Sequence, residues 1–127
     1  MFLIGLLFFL TSCSSSEDDT GNVILSSTPF KTGNFVSGAH PTSGSVSVSP
    51  AKKTLSFKNF KTDNGPLLVV YLSTSVGSVD FVSLGDLKGI EGDYSYNIPA
   101  NTDFSKYTFV DIWCIAASVS FGHAELE

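Results

Sequence analysis

Residues 108–116 read TFVDIWCIA, and their side chains alternate between two chemically different faces. A period of two is the spacing of a β-strand, in which successive side chains point to opposite sides of a sheet. One face carries Val110, Ile112, Cys114 and Ala116, and the other carries Phe109, Asp111, Trp113 and Ile115. We therefore predict a strand whose Cys114 face packs into the core and whose Asp111 face is partly wet.

The same alternation occurs in the segments before this strand and in the segment just after it. Gly, Pro, Asn and Asp separate these segments, as is typical of turns between strands. The strongest turn signal is Asp63-Asn64-Gly65-Pro66, because Asn and Gly accept a positive φ and Pro cannot continue a ladder. The predicted strands are 34–37, 45–49, 54–60, 67–73, 79–84, 94–98, 108–116 and 118–121. Their short length and near-regular spacing predict an all-β fold, a single small antiparallel β-sandwich or barrel of about eight or more strands.

The composition fits an extracytoplasmic β protein, because Ser, Thr and Gly are abundant and only 15% of the residues are charged. Seven Lys, no Arg and twelve acidic residues give a net charge of −5. Such a surface repels phosphate backbones, so we expect no nucleic-acid partner. The sequence carries no hydrolase, kinase or metalloenzyme motif, which favours a non-enzymatic protein over an enzyme.

The first thirteen residues resemble the export signal of a bacterial lipoprotein. Residues 2–10 are uniformly apolar but too short to span a bilayer, and residues 10–13 read LTSC, which matches a lipobox. In lipoproteins that Cys is acylated and becomes the new N-terminus, and two or more acyl chains give stable anchoring. We therefore predict a signal peptide at 1–12 and membrane lipid bound through acylation of Cys13. An ordinary signal peptide with an incidental Cys13 is the alternative.

Residues 13–30 are predicted to form a flexible tether, and residues 31–127 the folded domain. The tether is polar, rich in Ser, and carries Glu17-Asp18-Asp19, so it cannot bury enough apolar surface to fold. Acidic residues at this place also resemble the surface-export signals of some Gram-negative lipoproteins, although a solvated charge cluster explains them equally well. The predicted location is the outer membrane or cell surface, with a periplasm-facing position as the alternative.

Few residues in the predicted domain could carry chemistry. Cys114 is the one thiol left once Cys13 is acylated, and it is either a small core hydrophobe, a redox thiol, or a ligand to a metal or haem iron. His40 lies in a predicted loop and His123 near the C-terminus. Neither His forms a spaced ligand pair, so the sequence does not predict a metal site.

Nine segments appear in the order found in one family, and they cover nearly the whole predicted domain. They are 33–35, His40, 44–48, 55–60, 64–73, 84–89, 92–99, 110–114 and 121–126. Together they include an N-G-P turn, a Y-x-I-P step and a W-C pair. In these segments the sequence resembles the electron-transfer DM13 domains, which are associated with Skeletor and DOMON proteins.

The resemblance implies a β-sandwich-like domain with a redox role. In the family that role is proposed to rest on the Cys that matches Cys114, acting as a bare thiol or through a bound group such as haem. The family's His matches His40. Trp113, beside the Cys, either lines a cleft for such a group or is a buried structural residue. His123 stands where relatives are expected to have a small residue, so any role of His123 would be particular to this chain.

Two functions of different classes follow for the exported domain. The first is electron transfer by a membrane-anchored lipoprotein, with Cys114 as the central residue, His40 next, and a redox partner protein. The alternative is a non-enzymatic binding or adhesion module of the cell envelope that recognises glycan or protein through exposed Tyr94, Tyr96 and Tyr107. A purely structural envelope protein is a third, weaker hypothesis.

Overall fold

Eight antiparallel strands form one sheet that curls into a nearly closed barrel in the computed structural model, which describes residues 28–127. The strands are β1 (Lys31–Ser37), β2 (Ser43–Val48), β3 (Thr54–Lys61), β4 (Leu68–Ser73), β5 (Val82–Asp86), β6 (Glu91–Asn97), β7 (Phe109–Cys114) and β8 (Val119–Glu125). The predicted all-β class is confirmed. The predicted signal peptide, Cys13 and nearly all of the predicted tether lie outside the described residues.

The strands follow the order β5-β4-β7-β8-β1-β2-β3-β6, so β5 and β6 are the two edges of the sheet. These two edge strands contact each other, which brings the sheet close to a closed barrel. β7 lies between β4 and β8 and is paired along its whole length on both sides. The strand that carries Cys114 is therefore an interior strand, and β4 alone separates it from the edge strand β5.

The interior of the barrel is filled by apolar side chains from every strand except the edge strand β5, which contributes partly buried residues. The rings of Phe35, Phe57 and Phe60 contact one another with centroids 5.0 to 5.1 Å apart. Burying one such side chain contributes about 1.5–3 kcal/mol to the free energy of unfolding. The interior is thus a packed core.

Because the strands are antiparallel, the loops that join them alternate between the two ends of the barrel. One end has four loops, and the other has three loops and the N-terminal entry of the chain. We call one end the Cys end, because β7 finishes there at Cys114; its loops are 38–42, 62–67, 87–90 and 115–118. We call the other end the tether end, because the chain enters there at residue 28; its loops are 49–53, 74–81 and 98–108. Cys114 and the N-terminal entry of the domain therefore lie at opposite ends of the barrel.

Two turns differ from the sequence prediction. β5 begins at Val82, three residues later than predicted, because residues 74–81 form a loop with left-handed backbone at Ser78 (φ 56°) and Asp80 (φ 45°). In the 62–67 loop the left-handed residue is Leu67 (φ 56°), and neither Asn64 nor Gly65 takes a positive φ. A bulky residue in this region of φ/ψ space is strained by about 1–2 kcal/mol.

Candidate functional site

Cys114 ends β7 with its side chain in the core. It lies opposite Leu68 of β4, only 1% of its surface is exposed, and its thiol is free. The S–H group donates a hydrogen bond to the carbonyl oxygen of Pro66 at 3.1 Å. The prediction that Cys114 faces inward is confirmed, and the 62–67 loop supplies the polar partner of the thiol.

The 62–67 loop is held against the barrel by close contacts on both sides of Pro66. A Cβ on Gly65 would lie 2.8 Å from Cζ of Phe121, so glycine is needed here because the ring packs directly against the backbone. Leu67 is 65% exposed, and its carbonyl oxygen accepts a hydrogen bond of 3.1 Å from the Ile115 N–H. The strained Leu67 backbone therefore adjoins the residue that covers the thiol, and strain of this kind clusters at functional sites.

His40 contacts the other side of the same loop. Its Nδ1–H donates to Oδ2 of Asp63 at 2.9 Å, and its ring packs on the Phe121 ring with centroids 3.9 Å apart. Phe121 in turn packs against Gly65. The structure thus brings His40 and Cys114 to the same loop, one at Asp63 and the other at Pro66.

Two buried threonines fix the base of this loop. Thr42 and Thr62 are 6% and 4% exposed, and their hydroxyl oxygens lie 3.0 Å apart. The Thr42 hydroxyl also lies 3.0 Å from the Phe121 carbonyl oxygen, and the Thr62 N–H donates to the Ile90 carbonyl oxygen at 2.9 Å. Sequence reasoning missed both threonines, because nothing in a loop sequence shows which hydroxyl becomes buried.

Trp113 lies on the opposite side of the sheet from Cys114. It pairs with Val69 and Ser120, and its side chain is only partly buried. Adjacent residues of a strand point to opposite faces, so Trp113 and Cys114 cannot line one cleft while β7 keeps this geometry. Trp113 belongs to the outer surface of the barrel.

The prediction of a partly wet outer face is confirmed, since Phe109 and Trp113 are partly buried and Ile115 is exposed. Asp111 is the exception, because the 74–81 loop folds over it and leaves it 0% exposed. Its Oδ2 accepts hydrogen bonds from the Gly77 N–H at 2.9 Å and the Ser78 N–H at 3.1 Å, and its Oδ1 accepts one from the Ser120 hydroxyl. Both oxygens of this buried carboxylate thus have hydrogen-bond donors. Asp111 therefore anchors the loop to the barrel.

His123 is the cross-strand neighbour of Asp111 on that outer face. Its ring lies edge-on to Phe109, with centroids 5.9 Å apart. Its Nδ1 is buried and has no hydrogen-bond partner within residues 28–127. His123 is therefore on the opposite side of the sheet from Cys114 and takes no part in the contacts of the thiol.

The side chains around Cys114 do not fit a haem. Its sulfur is enclosed by the core and by the Pro66 carbonyl, whereas an axial ligand needs an open side for a large planar ring. None of the five principal cavities in residues 28–127 is lined by Cys114, His40 or Trp113. No group of three or more His, Cys, Asp or Glu side chains in this part of the chain could hold a metal ion.

The three tyrosines of the alternative binding function are less exposed than predicted. Tyr96 is only 2% exposed, and its hydroxyl oxygen accepts a hydrogen bond from the Lys88 N–H at 2.9 Å. Burial raises the pKa of Tyr96 above its usual 10.0. Tyr94 and Tyr107 are partly buried, and the Tyr94 hydroxyl donates to the Glu91 carbonyl oxygen at 2.6 Å. No row of exposed tyrosines marks a binding face in the described part of the chain.

The fold and the site together define residues 28–127 as a small antiparallel barrel, and the one thiol in this range is free and buried at one end of it. The chain belongs to the family described as Electron transfer DM13, whose model matches residues 34–126. The predicted family is thereby confirmed, and with it the general assignment to electron transfer. No curated protein and no solved structure matches the chain. No helix formed by residues 28–127 is long and apolar enough to cross a membrane.

Proposed function

We propose that Cys114 is the redox group of this electron-transfer domain and that it reacts as a thiol. The observation that carries the proposal is the hydrogen bond from the thiol to Pro66, which puts the sulfur directly beneath a loop that could uncover it. A thiol that never leaves the core would be inert. The proposal therefore requires that the 62–67 loop opens while the barrel stays folded.

The contacts of the loop favour such local opening. On its outer side the loop is held by the hydrogen-bonded pair of His40 and Asp63, whose side chains are 40% and 53% exposed. An exposed pair of this kind contributes only about 0.2–1 kcal/mol. Leu67 adds backbone strain that opening would release. Local openings of loops generally cost much less free energy than global unfolding.

The proposed reaction is thiol–disulfide exchange with a disulfide of a redox partner protein. The exposed Cys114 thiol gives its proton to solvent, and the thiolate attacks one sulfur of the partner's disulfide. A mixed disulfide forms, the partner's S–S bond breaks, and its second sulfur leaves as a thiolate. Cys114 is oxidised and the leaving sulfur is reduced; attack by a thiol on the mixed disulfide reverses the step.

Glutathione disulfide serves as the test oxidant, with the single glutathionyl adduct on Cys114 followed by intact mass. Asp63→Ala removes the exposed pair with His40 that holds the loop closed. The reaction is expected to become about twofold to fivefold faster, which corresponds to the free energy that an exposed ion pair contributes. Asp86→Ala removes an exposed carboxylate at the same end of the barrel and should leave the rate unchanged. Equal rates for Asp63→Ala and the parent would contradict opening of this loop.

We also propose that the domain is a lipoprotein held at the outer membrane or cell surface through acylated Cys13. The sequence pattern at 10–13 supports this proposal. The chain enters at the tether end, so an anchored domain would present the Cys end away from the membrane. Labelled fatty acid supplied to expressing bacteria should enter the parent chain and be absent from Cys13→Ser; equal labelling of both would refute the anchor.

A further inference from the structure

A cavity of about 620 Å³ lies at the tether end of the barrel, remote from Cys114. Its walls are the 49–53 turn and the start of the 98–108 loop, and the two are joined by a hydrogen bond of 2.9 Å from the Ile98 N–H to the Lys53 carbonyl oxygen. Its polar lining comes from Lys52, Lys53, Asn97, Asn101 and Thr102. This volume is within the range of pockets that hold small organic ligands.

Lysines are concentrated around this cavity although the chain as a whole is acidic. Lys52 and Lys53 line it, and Lys52 also lines an adjoining cavity together with Lys31. The ion pairs formed within residues 28–127 are His40 with Asp63 and Lys106 with Asp80. The three lysines at the cavities therefore have no carboxylate partner in the described part of the chain.

The Phe30 ring positions two of these three lysines. The Phe30 ring holds two ammonium groups, Nζ of Lys52 at 4.3 Å and Nζ of Lys31 at 5.7 Å from its centroid. Lys52 itself has left-handed backbone (φ 61°), as does Asn101 (φ 65°) on the facing loop.

We propose that this cavity binds a small phosphate-bearing molecule. Several unpaired ammonium groups suit a dianion such as phosphate, because each acts as a compact point charge. The Asn97 and Asn101 amides offer hydrogen-bond donors, whereas the Thr102 hydroxyl already donates to the Pro99 carbonyl oxygen at 2.7 Å. The apolar wall of Ala51, Ile98 and Ala100 would contact the organic part. The phosphate is that of a soluble molecule or of a lipid headgroup.

One carboxylate, that of Asp103, lies near the site and does not cancel its charge. It lines the adjoining cavity, where hydrogen bonds from Ser105 hold the pKa of Asp103 below its usual value. Three lysines therefore face one carboxylate across the two cavities. The excess of positive charge is local and involves too few residues to bind a nucleic-acid backbone.

The test titrates the full chain with inorganic phosphate and with glycerol phosphate at constant ionic strength, and follows backbone amide shifts by NMR. We expect saturable shifts in 49–53 and 97–102. The double variant Lys52→Asn, Lys53→Gln should weaken binding about tenfold, because two charged contacts are lost; Asn tolerates the left-handed backbone at 52. Lys61→Gln, an exposed lysine at the Cys end, is the matched control.

Vesicles distinguish the two sources of phosphate. If the cavity takes a lipid headgroup, phosphatidate vesicles should retain more of the parent chain than phosphatidylcholine vesicles, and the double variant should lose that excess. If it takes a soluble molecule, glycerol phosphate should bind while the two kinds of vesicle retain the chain equally. Shifts spread evenly over the surface, or equal losses in the double variant and Lys61→Gln, would overturn the proposal.

Discussion

Replacing Asp111 with alanine is expected to lower the free energy of unfolding by about 3 kcal/mol, since three hydrogen bonds to a buried carboxylate are lost. The Gly77 and Ser78 N–H groups would lose their acceptor, and the 74–81 loop would lose the two hydrogen bonds that attach it to β7. The predicted loss is large because the carboxylate is 0% exposed and its bonds are charge-assisted. Urea unfolding followed by tryptophan fluorescence measures it.

Asp93→Ala is the matched control for this variant. Asp93 also accepts a hydrogen bond from a backbone N–H, that of Asn59 at 2.8 Å, but its side chain is exposed. Its removal should cost less than about 1 kcal/mol, since water replaces the lost bond. Equal losses in Asp111→Ala and Asp93→Ala would show that the burial of Asp111 does not matter to stability.

The second large effect concerns the reactivity of Cys114. In the folded chain its labelling by a small thiol reagent should be slower than in the urea-unfolded chain by a factor on the order of 10³, equivalent to an opening free energy of about 4 kcal/mol. The physical reason is its 1% exposure and its hydrogen bond to Pro66. Cys13→Ser is used throughout, so that the signal reports Cys114 alone.

Labelling is followed by the intact mass of the chain, at reagent concentrations low enough that the labelling rate is proportional to the concentration of the reagent. Under this condition the rate reports the population of the open state. Folded chain that labels within a factor of ten of unfolded chain would contradict the buried position of the thiol. Labelling of Asp63→Ala faster than the parent would locate the opening at the 62–67 loop.

The alternation of apolar and polar residues was sufficient to predict the strands and to predict which face of β7 points inward. Alternation in 108–116 depends only on local geometry, and it predicted the inward side chain of Cys114 correctly. Each predicted strand overlaps an observed one, although β5 starts later and β8 runs on to Glu125. The ends differ because bulges and left-handed residues are set by packing between strands.

The contacts around the site could not be predicted in the same way. The burial of Asp111 within a partly wet face was not predicted, because its own strand does not show the 74–81 loop that covers it. Gly65 was read as a positive-φ residue, whereas it is needed for the close approach of Phe121, a residue 56 positions away. The cleft predicted for Trp113 and Cys114 required two neighbouring residues to face the same side, which a regular strand does not allow.

The most direct test of a redox role for Cys114 is the dependence of its labelling rate on low urea concentrations in the folded chain. Opening of the 62–67 loop exposes little surface, so we expect a rate that hardly changes with urea below the unfolding transition. A core thiol reached only by global unfolding would instead follow the full slope of the unfolding transition, about 1 kcal/mol per molar urea. A flat dependence supports the local opening that a redox role of Cys114 requires, and the full slope would contradict that role.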